Sequence, residues 1–330
     1  MGNSPFDVVA KAWGSGMSRR GLLAWLFGGS LGLLRERSVV DAARNRQGRC
    51  KKRRKRCAKK TNVTFPVRAT FYYPWFPNAW TQGTVSPYTN YQPSLGYYDG
   101  GDAAIIDTQI AAMQYGGISV GIASWWGVGH HTDQRIPALL AAAAGTDFRW
   151  ALYYEQEGTA NPSVEQIRAD LTSIRDRYGS DPNYARIDGR FVVFVYNAND
   201  GDCTVADRWS RANTVGAYVV LKVFTGYKTC ANQPQSWHQY APAVAADQQA
   251  GYSYAISPGF WQQGQQIRLA RDLPRWQQNV RDMVASDEPW QLVTTFNEWG
   301  EGTAVESAVE WQSASGYGAY LDVLHGNGMP

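Results

Sequence analysis

From residue 65 onward, short β-branched and apolar runs alternate with stretches whose apolar residues recur every three or four positions. The short runs cover 69–75, 118–126, 149–155, 191–197, 217–224, 237–242, 253–257 and 291–296, the sixth with the weakest pattern. Between them, 102–115 carries apolar residues at 105, 106, 110 and 113, and 163–178 carries them at 164, 167, 171 and 174. Ser163, followed by Glu165 and Gln166, reads as a helix start, because a serine oxygen can accept from the first unpaired backbone amides. Segments 272–284 and 317–324 share the helical period. Strands alternating with helices build a parallel sheet, since a parallel connection needs a crossover of helical length. Eight such units predict an α/β fold, a closed (β/α)8 TIM barrel over 65–330, with no internal linker or repeat.

A barrel of this kind gathers its chemistry at the C-terminal ends of its strands, and six of the predicted strands end in aromatic or acidic residues. Strand one runs into Tyr72, Tyr73, Pro74 and Trp75. The second ends at Ser124, Trp125 and Trp126, followed by His130, His131 and Asp133. The third ends at Tyr153, Tyr154, Glu155, Gln156 and Glu157, the fourth at Tyr196 and Asn197, and the seventh runs to Phe260 and Trp261. The eighth breaks into Asn297, Glu298, Trp299, Gly300, Glu301 and Gly302. Two carboxyls so placed cost desolvation. Acid–base chemistry on a polyol accounts for them, one donating a proton while the other accepts one. Taken alone, the stretch equally suits a solvated acidic turn after a strand. The same residue types at six strand ends favour an aromatic-lined cleft, with Glu298 and Glu301 as candidate catalytic residues and Asn297 and Trp299 beside them. Tyr73 and Trp75 suit sugar contact and core packing equally.

Charge narrows the partners. Residues 1–61 hold 16 lysines and arginines against 3 acids, a net of +13, whereas the remainder holds 16 against 25, a net of −9. The body is therefore acidic, which argues against nucleic acid as its partner, because phosphates would meet a like-signed surface. The 14 tryptophans and 19 tyrosines suit a cleft that stacks flat, weakly polar ligands.

The basic segment has its own logic. Arg19 and Arg20 precede an apolar run at 21–34, too short to span a bilayer comfortably but suited to the core of an export signal. The order S-R-R-x-L-L resembles a twin-arginine signal, an uncleaved anchor being the alternative. Residues 1–40 are thus expected to direct export, to an extracellular or envelope-associated location. Residues 41–64 form a basic linker, disordered because like charges repel, in which Cys50 and Cys57 flank a run of lysines and arginines. A tether to an anionic envelope is the reading preferred over nucleic-acid binding. With Cys203 and Cys230 in the body, four cysteines allow three pairings, all permitted after export.

Six motifs in order, F-Y-Y-P-W-F, G-G-I-S-V-G-I-A-S-W-W-G-V-G, L-Y-Y-E-Q-E-G, F-V-V-F-V-Y-N, S-P-G-F and T-T-F-N-E-W-G-E-G-T-A-V-E-S-A, resemble glycoside hydrolase family 99 and its relatives over nearly all of 66–325. That family includes endo-α-mannosidases and endo-α-mannanases. The resemblance implies that Glu298 is the base acting on the sugar's own 2-hydroxyl, which displaces the leaving group through an anhydrosugar. It implies that Glu301 protonates the leaving oxygen and then deprotonates the incoming water, with retention of configuration. Glu155 resembles the family's third acid, placed to hydrogen-bond the sugar in the cleaved subsite, and Tyr196 a tyrosine near the reacting centre. Trp125 and Trp126 resemble sugar-contacting or barrel-mouth residues. Two departures touch the cleft: Gly300 stands where the family often has His, and Tyr153 to Glu157 replace an H-I-E-P-Y run.

The resulting expectation is a monomeric, retaining glycoside hydrolase, endo-acting on an α-linked, mannan-like polysaccharide and needing neither cofactor nor metal. A glycan-binding barrel without turnover would not need both glutamates, and a polysaccharide-assembly factor fits poorly with an export signal. His130, His131 and Asp133 lie close together in a predicted loop, but adjacent histidines more often point apart than share an ion. Cys203 and Cys230 have no histidine placed to make either a nucleophile. Glu306 is either a support for the acidic pair or a solvated helix start.

Overall fold

The computed structural model describes residues 62–197 and 201–329. Its strands are β1 (Val67–Tyr72), β2 (Val120–Trp125), β3 (Arg149–Tyr154), β4 (Arg186–Ile187), β5 (Arg190–Val195), β6 (Tyr218–Lys222), β7 (Ser236–His238), β8 (Ala246–Gln249), β9 (Ser253–Ile256) and β10 (Trp290–Val293). The helices are α1 (Ala103–Tyr115), α2 (His131–Ala142), α3 (Glu157–Ala160), α4 (Val164–Ile174), α5 (Cys203–Ala212), α6 (Leu273–Ala285) and α7 (Ala319–His325). All eight predicted strands are present, each ending earlier than the sequence pattern suggested. Five of the helices start at the side chains that cap them: Asp102, His130, Ser163, Asp202 and Asp272 each accept from a backbone amide of the first turn.

Eight strands run parallel in the order β7, β6, β5, β3, β2, β1, β10, β9, so the first and last barrel strands pair directly, with Val67 opposite Trp290 and Thr70 opposite Val293. The sheet is a nearly closed barrel rather than a sealed one. The antiparallel strand β8 takes the outer edge of β9, and the hydrogen-bonding groups that would have met β7 are used there. A second antiparallel strand, β4, pairs with β5. Neither was foreseen, since both are short and carry no apolar period. Helices follow β1, β2, β3, β5, β9 and β10, while the links after β6 and β7 contain no α-helix.

Alternation along the strands sorts the apolar side chains into two layers. Val67, Ala69, Phe71 and Tyr73 join Tyr153, Phe194 and Trp290 inside the barrel. Tyr72, Trp125, Leu152 and Tyr154 face outward and pack on Ile110, Leu139, Leu171 and Trp209 of the helices. A Cys203–Cys230 disulfide ties the start of α5 to the loop between β6 and β7.

Residues 1–61, on which the expected export signal, most of the expected basic linker, Cys50 and Cys57 fall, lie outside the described residues. Of the segment expected to be linker, Asn62 bridges to Arg186 and the Val63 amide donates to the Arg186 carbonyl at 2.8 Å. Among the described residues no helix is long and apolar enough to cross a membrane.

Candidate active site

The site is built where β10 ends. The chain after it folds back on itself: the Thr295 amide donates to the Thr303 carbonyl, the Val305 amide to Thr295, and the two threonine hydroxyls meet at 2.9 Å. Residues 297–302 become a tight loop between these supports. The Glu298 amide donates to Thr295 Oγ1 at 2.9 Å, which fixes the backbone that carries the carboxylate. Gly302 turns the loop at φ +66°, and a Cβ there would lie 2.7 Å from the Trp261 carbonyl. Both features exclude other residues.

Two neighbouring segments pin this loop. The Asn297 side chain holds the backbone of Tyr73 at the end of β1. The link between β9 and α6 lies alongside, its Trp261 amide donating to the Glu301 carbonyl and its Gln263 amide to the Gly300 carbonyl, each at 2.9 Å. From that link Arg271 reaches beneath the loop, donating to the carbonyls of Gly302 at 3.0 Å and Ala304 at 2.6 Å. Its guanidinium carbon lies 3.9 Å from the centre of the Trp311 ring, so a buried cation is held by aromatic faces and carbonyl oxygens.

A cleft opens over the loop, lined by Asn297, Glu298, Trp299, Gly300 and Glu301 together with Trp75, Phe76, Tyr88 and Gln262. Glu298 and Glu301 are both buried, 5% and 3% exposed. Behind Glu298 runs a chain of hydroxyls: Tyr73 donates to the Tyr240 oxygen at 2.9 Å, and Tyr240 donates onward to Glu298 Oε2 at 3.5 Å. The Tyr196 ring stands edge-on to Tyr240 at 5.9 Å, and Tyr73 packs 4.4 Å from Trp75. Trp75 is held by its indole N–H, which donates to Ser124 Oγ at 3.1 Å.

Glu306 lies under the loop. It is buried, accepting from Tyr98 at 2.7 Å, Gln109 at 2.8 Å and the Trp299 indole at 3.1 Å. Burial pushes its carboxyl up to about 7 in spite of those three donors. The reading of Glu306 as a solvated helix start is thereby corrected, since the segment folds inward to complete the loop's support.

The sequence-nominated residues divide by direction. Glu298, Glu301, Asn297, Trp299 and Trp75 border one cleft, while Tyr73 and Tyr196 stand in the barrel interior beside it. Glu155 is buried at the end of β3, its amide donating to the Trp125 carbonyl at 3.0 Å. Trp126 is half-buried, its ring 6.2 Å from His130. Trp125 departs from the expectation of a sugar contact. It faces the helix layer and donates to Asp133 Oδ1 at 2.8 Å, because its position in β2 alternates away from the interior. The Trp299 indole likewise turns outward, stacking on Trp311 at 6.1 Å.

His130, His131 and Asp133 form the start of α2 rather than a loop, with His130 Nδ1 accepting from the Thr132 amide. Asp133 is committed to Trp125, the Gly129 amide, Tyr178 and Arg177. Burial alone would raise its carboxyl, but these donors hold it below the usual range. Sequence reasoning missed Tyr240 and Tyr88. Tyr240 follows His238 by two, the inward spacing of a strand, whereas Tyr88 sits in the long link between β1 and α1, where no period marks it.

A sequence profile for glycosyl hydrolase family 99 matches residues 76–225. The chain is 21% identical over 291 residues to the glycoprotein endo-α-1,2-mannosidase of Rattus norvegicus, covering 71% of this chain and 60% of that protein. It is 23% identical over 280 residues to the Xenopus laevis enzyme of the same name, covering 68% of this chain and 60% of that protein. The chain thus spans about 60% of the length of these relatives. Among solved structures, the GH99 endo-α-mannosidase of Bacteroides thetaiotaomicron superposes with a TM-score of 0.62 at 20% identity, over 81% of this chain and 96% of that one. Profile and relatives agree in their likeness to glycosyl hydrolase family 99, and the chain shares the barrel fold of that solved structure.

Proposed function

We propose that the chain is a retaining glycoside hydrolase, endo-acting on an α-linked, mannan-like polysaccharide. The observation that carries the proposal is that Glu298 and Glu301, three residues apart, border one cleft at the C-terminal end of the last barrel strand. The names of the rat and frog relatives support an α-mannosidic bond as the target.

In this mechanism Glu298 accepts the proton of the sugar's 2-hydroxyl while that oxygen attacks C1. The C1–O bond to the leaving group breaks as Glu301 gives its proton to the departing oxygen. Glu301 then takes a proton from water, whose oxygen opens the anhydrosugar at C1, and Glu298 returns a proton to O2. Two inversions give net retention. Tyr73 and Tyr240 support Glu298 from behind, and Trp75 at the rim offers an apolar face to a sugar ring. Export through the segment around Arg19 and Arg20 belongs to the same reading. The Cys203–Cys230 disulfide supports it, since such bonds persist in oxidising compartments.

The test compares product release from α-mannans, α-glucans and wall polysaccharides by the wild type, Glu298→Gln and Glu301→Gln. Cleavage of an α-mannan by the wild type, lost in both variants, is the expected result. Tight glycan binding without cleavage by any of the three would replace the proposal with a binding barrel.

A further inference from the structure

We infer that Tyr88 determines specificity in this cleft: its phenol donates a hydrogen bond to the bound glycan beside Glu301, and the bare α-carbon of Gly300 sets where its ring lies. The inference rests on the hydrolase reading above and extends it to a residue of the long β1–α1 link.

The geometry begins at Gly300. A Cβ built on this residue would stand 2.8 Å from both Cδ1 and Cε1 of Tyr88, closer than real Cβ atoms come to a ring. The phenol ring therefore rests directly on the loop backbone, between the two carboxyl-bearing residues. Both sides of this contact are held. The Tyr88 amide donates to the Trp80 carbonyl at 2.8 Å, and the Gln263 amide holds the Gly300 carbonyl at 2.9 Å. Across the cleft, Gln262 Nε2 donates to the Tyr88 hydroxyl at 3.4 Å. The hydroxyl is thus an acceptor toward Gln262, which directs its own proton toward the cleft.

Chemistry says what that proton meets. Tyr88 is half-buried, and burial together with the negative charges of Glu301 and Glu298 keeps the phenol protonated. A neutral donor beside two carboxyls takes no part in the proton transfers assigned to them. It suits recognition of a sugar hydroxyl next to the bond being cut. A site built to hydrogen-bond a hydroxyl discriminates through the polar group it would otherwise leave unpaired. A side chain at position 300 and the Tyr88 ring cannot occupy the same place, so the pair selects the sugar neighbour together.

The experiment uses the full chain and an α-mannan that the wild type cleaves, with KM and kcat measured for wild type, Tyr88→Phe, Tyr88→Ala, Gly300→Ala and the Tyr88→Ala/Gly300→Ala double variant. Tyr88→Phe keeps the ring and is expected to raise KM about tenfold with kcat little changed. Gly300→Ala is expected to weaken kcat/KM at least as much in the wild type and to add less than twofold in the Tyr88→Ala background, because the clash is then gone. An unchanged KM in Tyr88→Phe, or a loss in kcat alone, would overturn the inference while leaving the hydrolase reading intact. An equal penalty for Gly300→Ala in both backgrounds would overturn the ring placement. A wild type that neither cleaves nor binds any α-mannan would overturn the hydrolase reading and this inference with it.

Discussion

The side chain of Asn297 holds the backbone of Tyr73 in both directions: Oδ1 accepts from the Tyr73 amide at 2.8 Å and Nδ2 donates to the Tyr73 carbonyl at 3.1 Å. The backbone register between β1 and β10 runs from Val67 with Trp290 to Thr70 with Val293, and the Phe296 amide adds one bond to Phe71. Beyond that point an amide side chain does what a backbone would have done in a longer strand. The residue before Glu298 thereby ties the acidic loop to the first strand of the barrel.

Asn297→Ala leaves a buried amide and a buried carbonyl without this partner. Its expected cost is about 1–3 kcal/mol of stability, seen as a lower urea midpoint with unchanged slope, together with a fall in turnover. Stability equal to the wild type would show that the clasp contributes nothing net.

Tyr240→Phe removes the hydroxyl between Tyr73 and Glu298 and keeps the ring in its cluster. A net hydrogen bond of about 1 kcal/mol corresponds to a fall in kcat/KM of roughly fivefold, with the thermal midpoint nearly unchanged. A fall beyond a hundredfold would make Tyr240 a participant in the reaction rather than a support.

Glu306 makes stability depend on pH. Its carboxyl is raised to about 7 in the folded chain from its ordinary 4.5, so at pH values between these the folded state holds a proton that the unfolded state has released. Stability from this group is complete below about 4.5 and is lost as pH rises through about 7, a change on the order of 3 kcal/mol. Glu306→Gln is expected to flatten that part of the profile. Urea midpoints of both chains at pH 5 and pH 8 test it, and parallel profiles would count against the shift.

The Cys203–Cys230 disulfide closes a loop of 27 residues. Reducing it, or replacing both cysteines with serine, is expected to cost about 3–4 kcal/mol by restoring freedom to the unfolded chain. The thermal midpoint with and without a reductant measures this, and no difference would mean that the bond does not form in solution.

Much of this molecule is legible residue by residue. Asp102, Ser163 and Asp272 mark helix starts because a short polar side chain accepts from amides only a few residues on. The acidic stretch 297–301 stands out because carboxyls at the mouth of an apolar strand cost too much to be incidental. Trp125 and Trp126 show where local reading stops. They are adjacent and chemically alike, yet one anchors Asp133 in the helix layer and the other lies half-buried at the strand end. Composition cannot distinguish them, because the phase of a strand is fixed by its neighbours in the sheet.

The sequence by itself determined the strand and helix periods, the barrel they imply and the acidic pair at its last strand, because these depend on neighbours within a few residues. The tertiary structure alone decided that β8 would take the edge of β9 and leave the barrel seam open, and that Glu306 would be buried. It also brought Tyr240 and Tyr88 to the carboxyls from segments 58 and 213 residues away from Glu298 and Glu301. No local period records such contacts, since they form only when the sheet curls and distant links close over one end of it.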